Sequence, residues 1–229
     1  MIEIKNVQKS FGRKNVLRDV SFTAKKGEIT CLVGLNGIGK TTLLHAIMNL
    51  TPINSGEILI DGAPLSKKSY EKITLIPDAI TMLPTMRIRQ AFEFMADFYD
   101  NWNEKRAEEL LSFFRLQKDE RISDISKGNK AKVNLILGLA LDVDYVLMDE
   151  PFSGIDIFSR EQIQEVFTSY LIEERGVIVT THEIDEIEHL IDHVVLLDNG
   201  IVIKEFNAEQ VREELGKSII DVMREAFQR

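Results

Sequence analysis

Three kinds of apolar and polar pattern succeed one another along the chain. The first part alternates, in Ile2-Glu3-Ile4 and again over residues 16–23 with Val20 and Phe22, and a period of two predicts strands. Glu57-Ile58-Leu59-Ile60 before Asp61-Gly62, and Ile73-Thr74-Leu75-Ile76 before Pro77, add two strands that end at turn residues. Glu28-Ile29-Thr30-Cys31-Leu32-Val33 is short, apolar and β-branched, the pattern of a buried strand. From about residue 87 to 141 the period becomes helical, with Ile88, Ala91, Phe92 and Met95 on one face and Ala107, Leu110, Leu111 and Phe114 on another. Strands then return as Tyr145-Val146-Leu147-Met148, Val177-Ile178-Val179-Thr180 and Val194-Val195-Leu196-Leu197. A helix over about residues 160–174 separates the first two of these, the βαβ alternation of a parallel sheet. Asn199-Gly200 predicts a two-residue hairpin before Ile201-Val202-Ile203, and residues 208–229 read as two short helices. No repeat, low-complexity tract or linker interrupts the chain, so the pattern is an α/β core with a helical insert in its middle.

The strand at 28–33 runs into Gly34-Leu35-Asn36-Gly37-Ile38-Gly39-Lys40-Thr41, which matches G-x-x-x-x-G-K-[ST]. Leu43, Leu44, Ile47 and Met48 follow at helical spacing. A strand, a glycine loop and a helix form the context in which backbone N–H groups and a helix N-terminus hold phosphate. Lys40 is expected to reach the β- and γ-phosphates and the Thr41 hydroxyl to ligate Mg²⁺. The alternative, a glycine turn that ends in Lys-Thr by chance, does not explain that context. Asp149-Glu150 terminates a second apolar strand, and ligands of open α/β sheets bind beyond the carboxyl ends of strands. Asp149 therefore suits Mg²⁺ through water, and Glu150 suits the orientation or deprotonation of an attacking water. A third strand ends in Thr180-Thr181-His182, which carries an imidazole to the same edge, within reach of a γ-phosphate. His182-Glu183-Ile184-Asp185-Glu186 begins like a zinc motif but has Glu186 at the second histidine position. Asn129-Lys130-Ala131-Lys132 begins like a guanine-specificity motif and lacks its closing aspartate.

Composition narrows the partners. The 229 residues are 44% apolar, ample for a core, and carry a net charge of −9 from 28 Lys+Arg against 37 Asp+Glu. That balance argues against a general nucleic-acid binder, and no nucleic-acid partner is expected. The one cysteine, Cys31, excludes an internal disulfide and a multi-thiolate metal site and reads as a core filler. No apolar run approaches the roughly 18–20 residues that span a bilayer, and the first residues are not a signal peptide, so a cytoplasmic protein is expected.

With these motifs in this order, the chain resembles the ATP-binding subunits (nucleotide-binding domains) of ABC transporters over nearly its whole length. Gly34 to Thr41 stand as Walker A and Asp149-Glu150 end Walker B. Ser153-Gly154-Ile155-Asp156 stand as the D-loop and His182 as the switch histidine. The resemblance implies a P-loop NTPase core with a mostly parallel sheet, an N-terminal antiparallel β subdomain and an inserted helical subdomain. It implies one ATPase domain over 1–229, with about 1–86 and 143–229 as core and about 87–142 as the helical subdomain. ATP would be held by Phe11 stacking on adenine and by Gly34, Leu35, Asn36, Gly37, Ile38, Gly39, Lys40, Thr41 and Thr42. Glu150 and His182 would be catalytic, with Mg²⁺ at Thr41, Asp149 and Asp78.

The family hallmark L-S-G-G-Q stands here as Ile125-Ser126-Lys127-Gly128-Asn129. Ser126 is a good N-cap for the helix that follows, and such an end offers N–H groups to an anion. The resemblance makes that anion the γ-phosphate on an opposing subunit, with Ser126 and Gly128 as contacts, in a homodimer or a heterodimer with a second ATPase. Lys127 in place of the first glycine either points away from the phosphate or adds charge to it. At Pro77-Asp78 the family usually has Gln, and an acidic residue there together with Ser-Lys-Gly resembles bacterial exporters of peptides, antibiotics or drugs. The implied function is ATP hydrolysis driving such an exporter through a separate transmembrane permease, at the inner face of the cell membrane. The alternatives are a soluble ABC ATPase of cofactor assembly and a regulatory module with a degenerate site, the latter opposed by intact Lys40, Asp149, Glu150 and His182. Most of Phe92, Phe94, Phe98, Tyr99 and Trp102 are expected in the core, with the others lining a groove for a permease helix.

Overall fold

The structure, a computed structural model, describes residues 1–168 and 175–227, without the side chain of Glu186. Strands β1 (Ile2–Phe11), β2 (Lys14–Ala24), β4 (Ser55–Ile60) and β5 (Ala63–Pro64) pair antiparallel in the order β5-β4-β1-β2. The sheet continues through β10 (Ile201–Asn207) and β9 (His193–Asp198) to β3 (Ile29–Val33), β8 (Gly176–Thr180), β7 (Tyr145–Asp149) and β6 (Ile73–Ile76). From β9 to β6 every pair is parallel. An α/β fold of P-loop type with an antiparallel N-terminal part is thus what the pattern and the resemblance predicted. The Asn199-Gly200 turn lies between β9 and β10, and both residues take the positive φ that such a hairpin requires, 49° and 76°.

The parallel strands are buried on both faces, which is why they read as continuous apolar runs. Ile29, Cys31 and Val33 of β3, Val146 and Met148 of β7, and Val177 and Val179 of β8 point to one core. Leu32, Leu147 and Ile178, one residue out of phase, point to the other. Helix α1 (Lys40–Ile47) covers the second face with Leu43, Leu44 and Ile47. The first face is covered by α2 (Ile88–Phe98), α3 (Glu104–Phe113) and α4 (Lys127–Leu139), all inserted between β6 and β7, and by α5 (Ile157–Val166). Each of these aliphatic side chains contributes about 1.5–3 kcal/mol by leaving water. Burial also pushes the Cys31 thiol far above its ordinary range, in keeping with a core filler.

One boundary and one burial assignment differ from expectation. The helix expected at about 160 starts earlier, at Ile157, because Asp156 caps it by accepting from the Ser159 N–H at 2.9 Å; residues 169–174 lie outside those described. The aromatics are a correction. Phe92 is buried and tilted against the half-buried Trp102, but Phe94, Phe98 and Tyr99 are exposed, so most of the five are not core. The inward stripe of α2 is Ile88-Ala91-Phe92-Met95, and Phe94 and Phe98, four residues apart, stack on each other at 4.5 Å away from it. Beyond β10 lie α6 (Ala208–Leu215) and α7 (Ile219–Phe227), the two short helices expected, with the last two residues outside those described. No helix among the described residues is long and apolar enough to cross a membrane.

Candidate functional site

Register brings the separated motifs together. In the parallel ladder Leu32 of β3 pairs with Thr180 of β8, and Thr180 pairs with Asp149 of β7. The glycine loop, Asp149-Glu150 and Thr181-His182 therefore leave three adjacent strands at one edge of the sheet. The glycine loop delivers Lys40 at the first position of α1, where no side chain caps the helix and no acidic residue occupies the first turn. Such an uncapped N-terminus carries a partial positive charge and N–H groups free to meet an anion. Gly39 is required here twice over. Its φ is 116°, and a Cβ would lie 2.9 Å from the side chains of both Val16 and Leu17.

Lys40 is only 6% exposed, and its Nζ donates to the Gly34 carbonyl at 2.8 Å and stands 3.7 Å from Glu150 Oε1. The other carboxylate oxygen of Glu150 accepts from the His182 backbone N–H at 3.2 Å and lies 2.8 Å from His182 Nδ1. A carboxylate only accepts, so Nδ1 carries the proton in this contact. Glu150 has φ 49°, a left-handed backbone that costs a side-chain-bearing residue about 1–3 kcal/mol. Its N–H holds that conformation by donating to both the carbonyl and the hydroxyl of Thr180, each at 3.0 Å. The same Thr180 hydroxyl donates to Asp149 Oδ1 at 2.6 Å. One buried threonine thus fixes both acids.

A cleft of about 480 Å³ opens over this floor, lined by Phe11, Lys14, Val16, Asn36 and Gly37 and by Gly39 to Thr42 with Glu150. Of the residues predicted from sequence, Phe11, Asn36, Gly37, Gly39, Lys40, Thr41, Thr42 and Glu150 line it, and Asp149 and His182 join through the contacts above. Gly34 abuts the cleft through Lys40, whereas Leu35 is exposed and Ile38 packs under the loop. Asp78 is exposed on the loop after β6 and is not among the lining residues. Ser126 and Gly128 are not brought to the cleft either. They form the first turn of α4, where Ser126 Oγ accepts from the Asn129 N–H at 3.2 Å. Gly128 is buried against α5 so closely that a Cβ would stand 2.5 Å from Ser159 Oγ. Thr180, Lys14 and Val16 were missed in the sequence. A threonine ending an otherwise apolar strand was the available signal for the first.

The donors fit a hard divalent cation. Thr41 offers a hydroxyl in the cleft, and buried Asp149 offers the carboxylate oxygen that Thr180 does not engage. Among the described residues no three His, Cys, Asp or Glu side chains are grouped to cage a metal. That suits an ion held chiefly by phosphate and water.

Comparison with known proteins bears on what this cleft serves. The family model described as ABC transporter matches residues 17–153. The linearmycin resistance ATP-binding protein LnrL of Bacillus subtilis (strain 168) is 34% identical over 213 residues, covering 89% of this chain and 68% of the relative. The petrobactin import ATP-binding protein YclP of the same organism is 30% identical over 93% of this chain and 89% of its own length. A solved ATP-binding subunit of an ABC transporter superposes with a TM-score of 0.88 at 27% identity, covering 99% of both chains. The chain belongs to the ABC transporter family, as its ATP-binding and ATP-hydrolysing subunit.

Proposed function

We propose that this subunit hydrolyses ATP with Glu150 as the residue that orients and deprotonates the attacking water, and that the contact running from Lys40 through Glu150 to His182 carries the reading. Phe11 stacks on the adenine. The loop from Gly34 to Gly39 and the N-terminus of α1 cradle the phosphates, and Lys40 draws negative charge from the γ-phosphate. His182, already bonded to Glu150 through Nδ1, holds that carboxylate in line and carries its imidazole to the edge where the γ-phosphate would lie. Thr41 directly, and Asp149 and Asp78 through water, would hold Mg²⁺, which supplies charge neutralisation between the phosphates.

In this reading Ser126 and Gly128 close over ATP bound to another cassette, identical or different, and ATP drives that pairing. The three inserted helices, over about 87–142, act as a helical subdomain against the core of about 1–86 and 143–229. A groove of about 330 Å³ lined by Thr81, Leu83, Phe94, Tyr99 and Asn134 runs between them, and there a separate permease would dock. The subunit would then sit at the inner face of the membrane. Export of a peptide, antibiotic or drug is the transport reading favoured, supported by Asp78, by Ser126-Lys127-Gly128 and by the relative named for linearmycin resistance. The relative named for petrobactin import keeps uptake as the second reading.

The test is Glu150→Gln. It should bind ATP normally, lose at least about 100-fold in turnover and accumulate as an ATP-bound dimer by light scattering. Near-normal turnover would overturn the assignment of Glu150.

A further inference from the structure

Strand β1 puts Ile2, Ile4 and Val7 into the core and then, after two register shifts, puts a lysine in the next buried position. Lys9 is 8% exposed. A buried ammonium needs compensation, because leaving water costs a charge far more than an apolar group gains. Lys9 Nζ finds it in two places: it donates to the Pro52 carbonyl at 2.5 Å and lies over the ring of Phe11, 4.8 Å from the centroid. Phe11 itself is 52% exposed and lines the nucleotide cleft. An aromatic ring has two faces. One is occupied by the ammonium, so a base can stack only on the other.

The neighbourhood makes this a fixed arrangement. The loop after α1 is sewn to β1 on both sides of Lys9, the Asn54 N–H donating to the Gln8 carbonyl at 2.8 Å and the Ser10 N–H to Asn54 Oδ1 at 2.7 Å. The Pro52 carbonyl that receives Lys9 belongs to that loop, which follows the helix that begins at Lys40.

We propose that Lys9 is a positioning residue for nucleotide binding: its ammonium backs the buried face of Phe11, sets the tilt of the ring and leaves one face for a purine base. The inference rests on the proposed stacking role of Phe11. A cation against the π face also draws electron density from the ring, which favours stacking of an electron-rich base on the opposite side. Lys9 does not touch the triphosphate, so its effect belongs to the base half of the ligand alone.

The experiment measures ATPase kinetics for Lys9→Met, Lys9→Gln, Lys9→Arg, Phe11→Ala and the Lys9→Met/Phe11→Ala double variant, with inorganic tripolyphosphate as a base-free competitor. Lys9→Met should raise KM for ATP by about three- to tenfold with kcat changed less than about twofold. Lys9→Arg should restore KM to within about twofold. Lys9→Gln, which can still donate to Pro52, should behave like Lys9→Met and provides a folded control if the methionine variant is unstable. The inhibition constant for tripolyphosphate should be the same in all of them, and Lys9→Met should add nothing once Phe11 is alanine. If Phe11→Ala raises KM while neither Lys9→Met nor Lys9→Gln does, the inference falls and the stacking role stands. An unchanged KM in Phe11→Ala overturns the stacking role itself. Weakened tripolyphosphate binding in step with KM would show that Lys9 acts on the loop as a whole, which also overturns the inference.

Discussion

Two helix N-termini of this molecule carry the proposed phosphate contacts, and they differ in what faces them. At α1 the chain supplies its own opposing groups: Lys40, Glu150 and His182 stand in contact across the cleft, and Thr180 locks both acids from below. At α4 the first turn is just as rigid. Ser126 caps it, and Gly128 is clamped against Asp156 and Ser159 at the start of α5, where the Ser159 N–H, and then its hydroxyl, donate to the Asp156 carboxyl and hold it below the usual range. Yet Ser126 and Lys127 are exposed, and none of this turn lines the cleft. In the proposed reading the first end is a catalytic floor complete in itself, and the second is a phosphate donor whose ligand comes from elsewhere. In that reading, rigidity at both ends lets two separately folded pieces meet with catalytic precision.

That contrast breaks most visibly in a mixing experiment. Lys40→Ala disables the α1 end, and Gly128→Asp disables the α4 end by placing a charge and excess volume where a Cβ already has no room. Each alone should lose at least about 100-fold in ATPase activity. Mixed, they should regain a measurable share, because a pair made of one of each carries one site with both ends intact. Mixing without recovery would mean that α4 does not serve a second copy of this chain. Nucleotide titration sharpens the point: Gly128→Asp should still bind ATP as a monomer, whereas Lys40→Ala should bind it poorly.

Thr180→Val comes next in size. Valine matches threonine in shape but removes the donor to Asp149 and the hydroxyl acceptor of the Glu150 N–H, leaving only the Thr180 carbonyl to receive it. A hydrogen bond to a charged group is worth about 1.5–3 kcal/mol, so turnover should fall about tenfold or more. Thr180→Ser should recover most of that loss, while ATP affinity changes little in either variant. A valine variant with normal kcat would show that the strained backbone of Glu150 holds without this bond.

Much of this was legible in the sequence, and the reason is locality. A strand, a glycine loop and a helix occupy one continuous stretch ending at Ile47, so periodicity and motif agree there. The faces of α2 and α3 followed directly from a period of 3.6, and Ile88, Ala91, Phe92, Met95, Ala107, Leu110, Leu111 and Phe114 are all buried. What remained hidden depends on pairing between distant segments. Thr180 matters because β8 sits beside β7 in a register that sets it against Asp149, and nothing local encodes that neighbour. In β1 the alternation could be followed only through Ile4, since the shift after Ile4 changes the phase of the strand and conceals both its length and the inward turn of Lys9.

The smallest expected effect concerns Lys127, which replaces a glycine of the family hallmark at the α4 end. Its position supports the first of the two readings that the sequence left open, in which it points away from the phosphate. The Lys127 ammonium lies against the backbone of Gly154, so closely that a Cβ on that glycine would collide with it. Its charge is therefore directed at Gly154 of its own chain, and in the proposed reading the phosphate-facing work of the turn falls to Ser126 and Gly128. Being exposed, it gains little from any single contact, and a solvated cation at the surface of a helix contributes modestly. Lys127→Gly should accordingly change ATPase activity by no more than about twofold, while Lys127→Glu, which reverses a charge near a helix N-terminus that serves phosphate, should lower it by several-fold. A loss of about tenfold or more in the glycine variant would place the ammonium on the phosphate after all, and would make the α4 end a charged donor like the α1 end with Lys40.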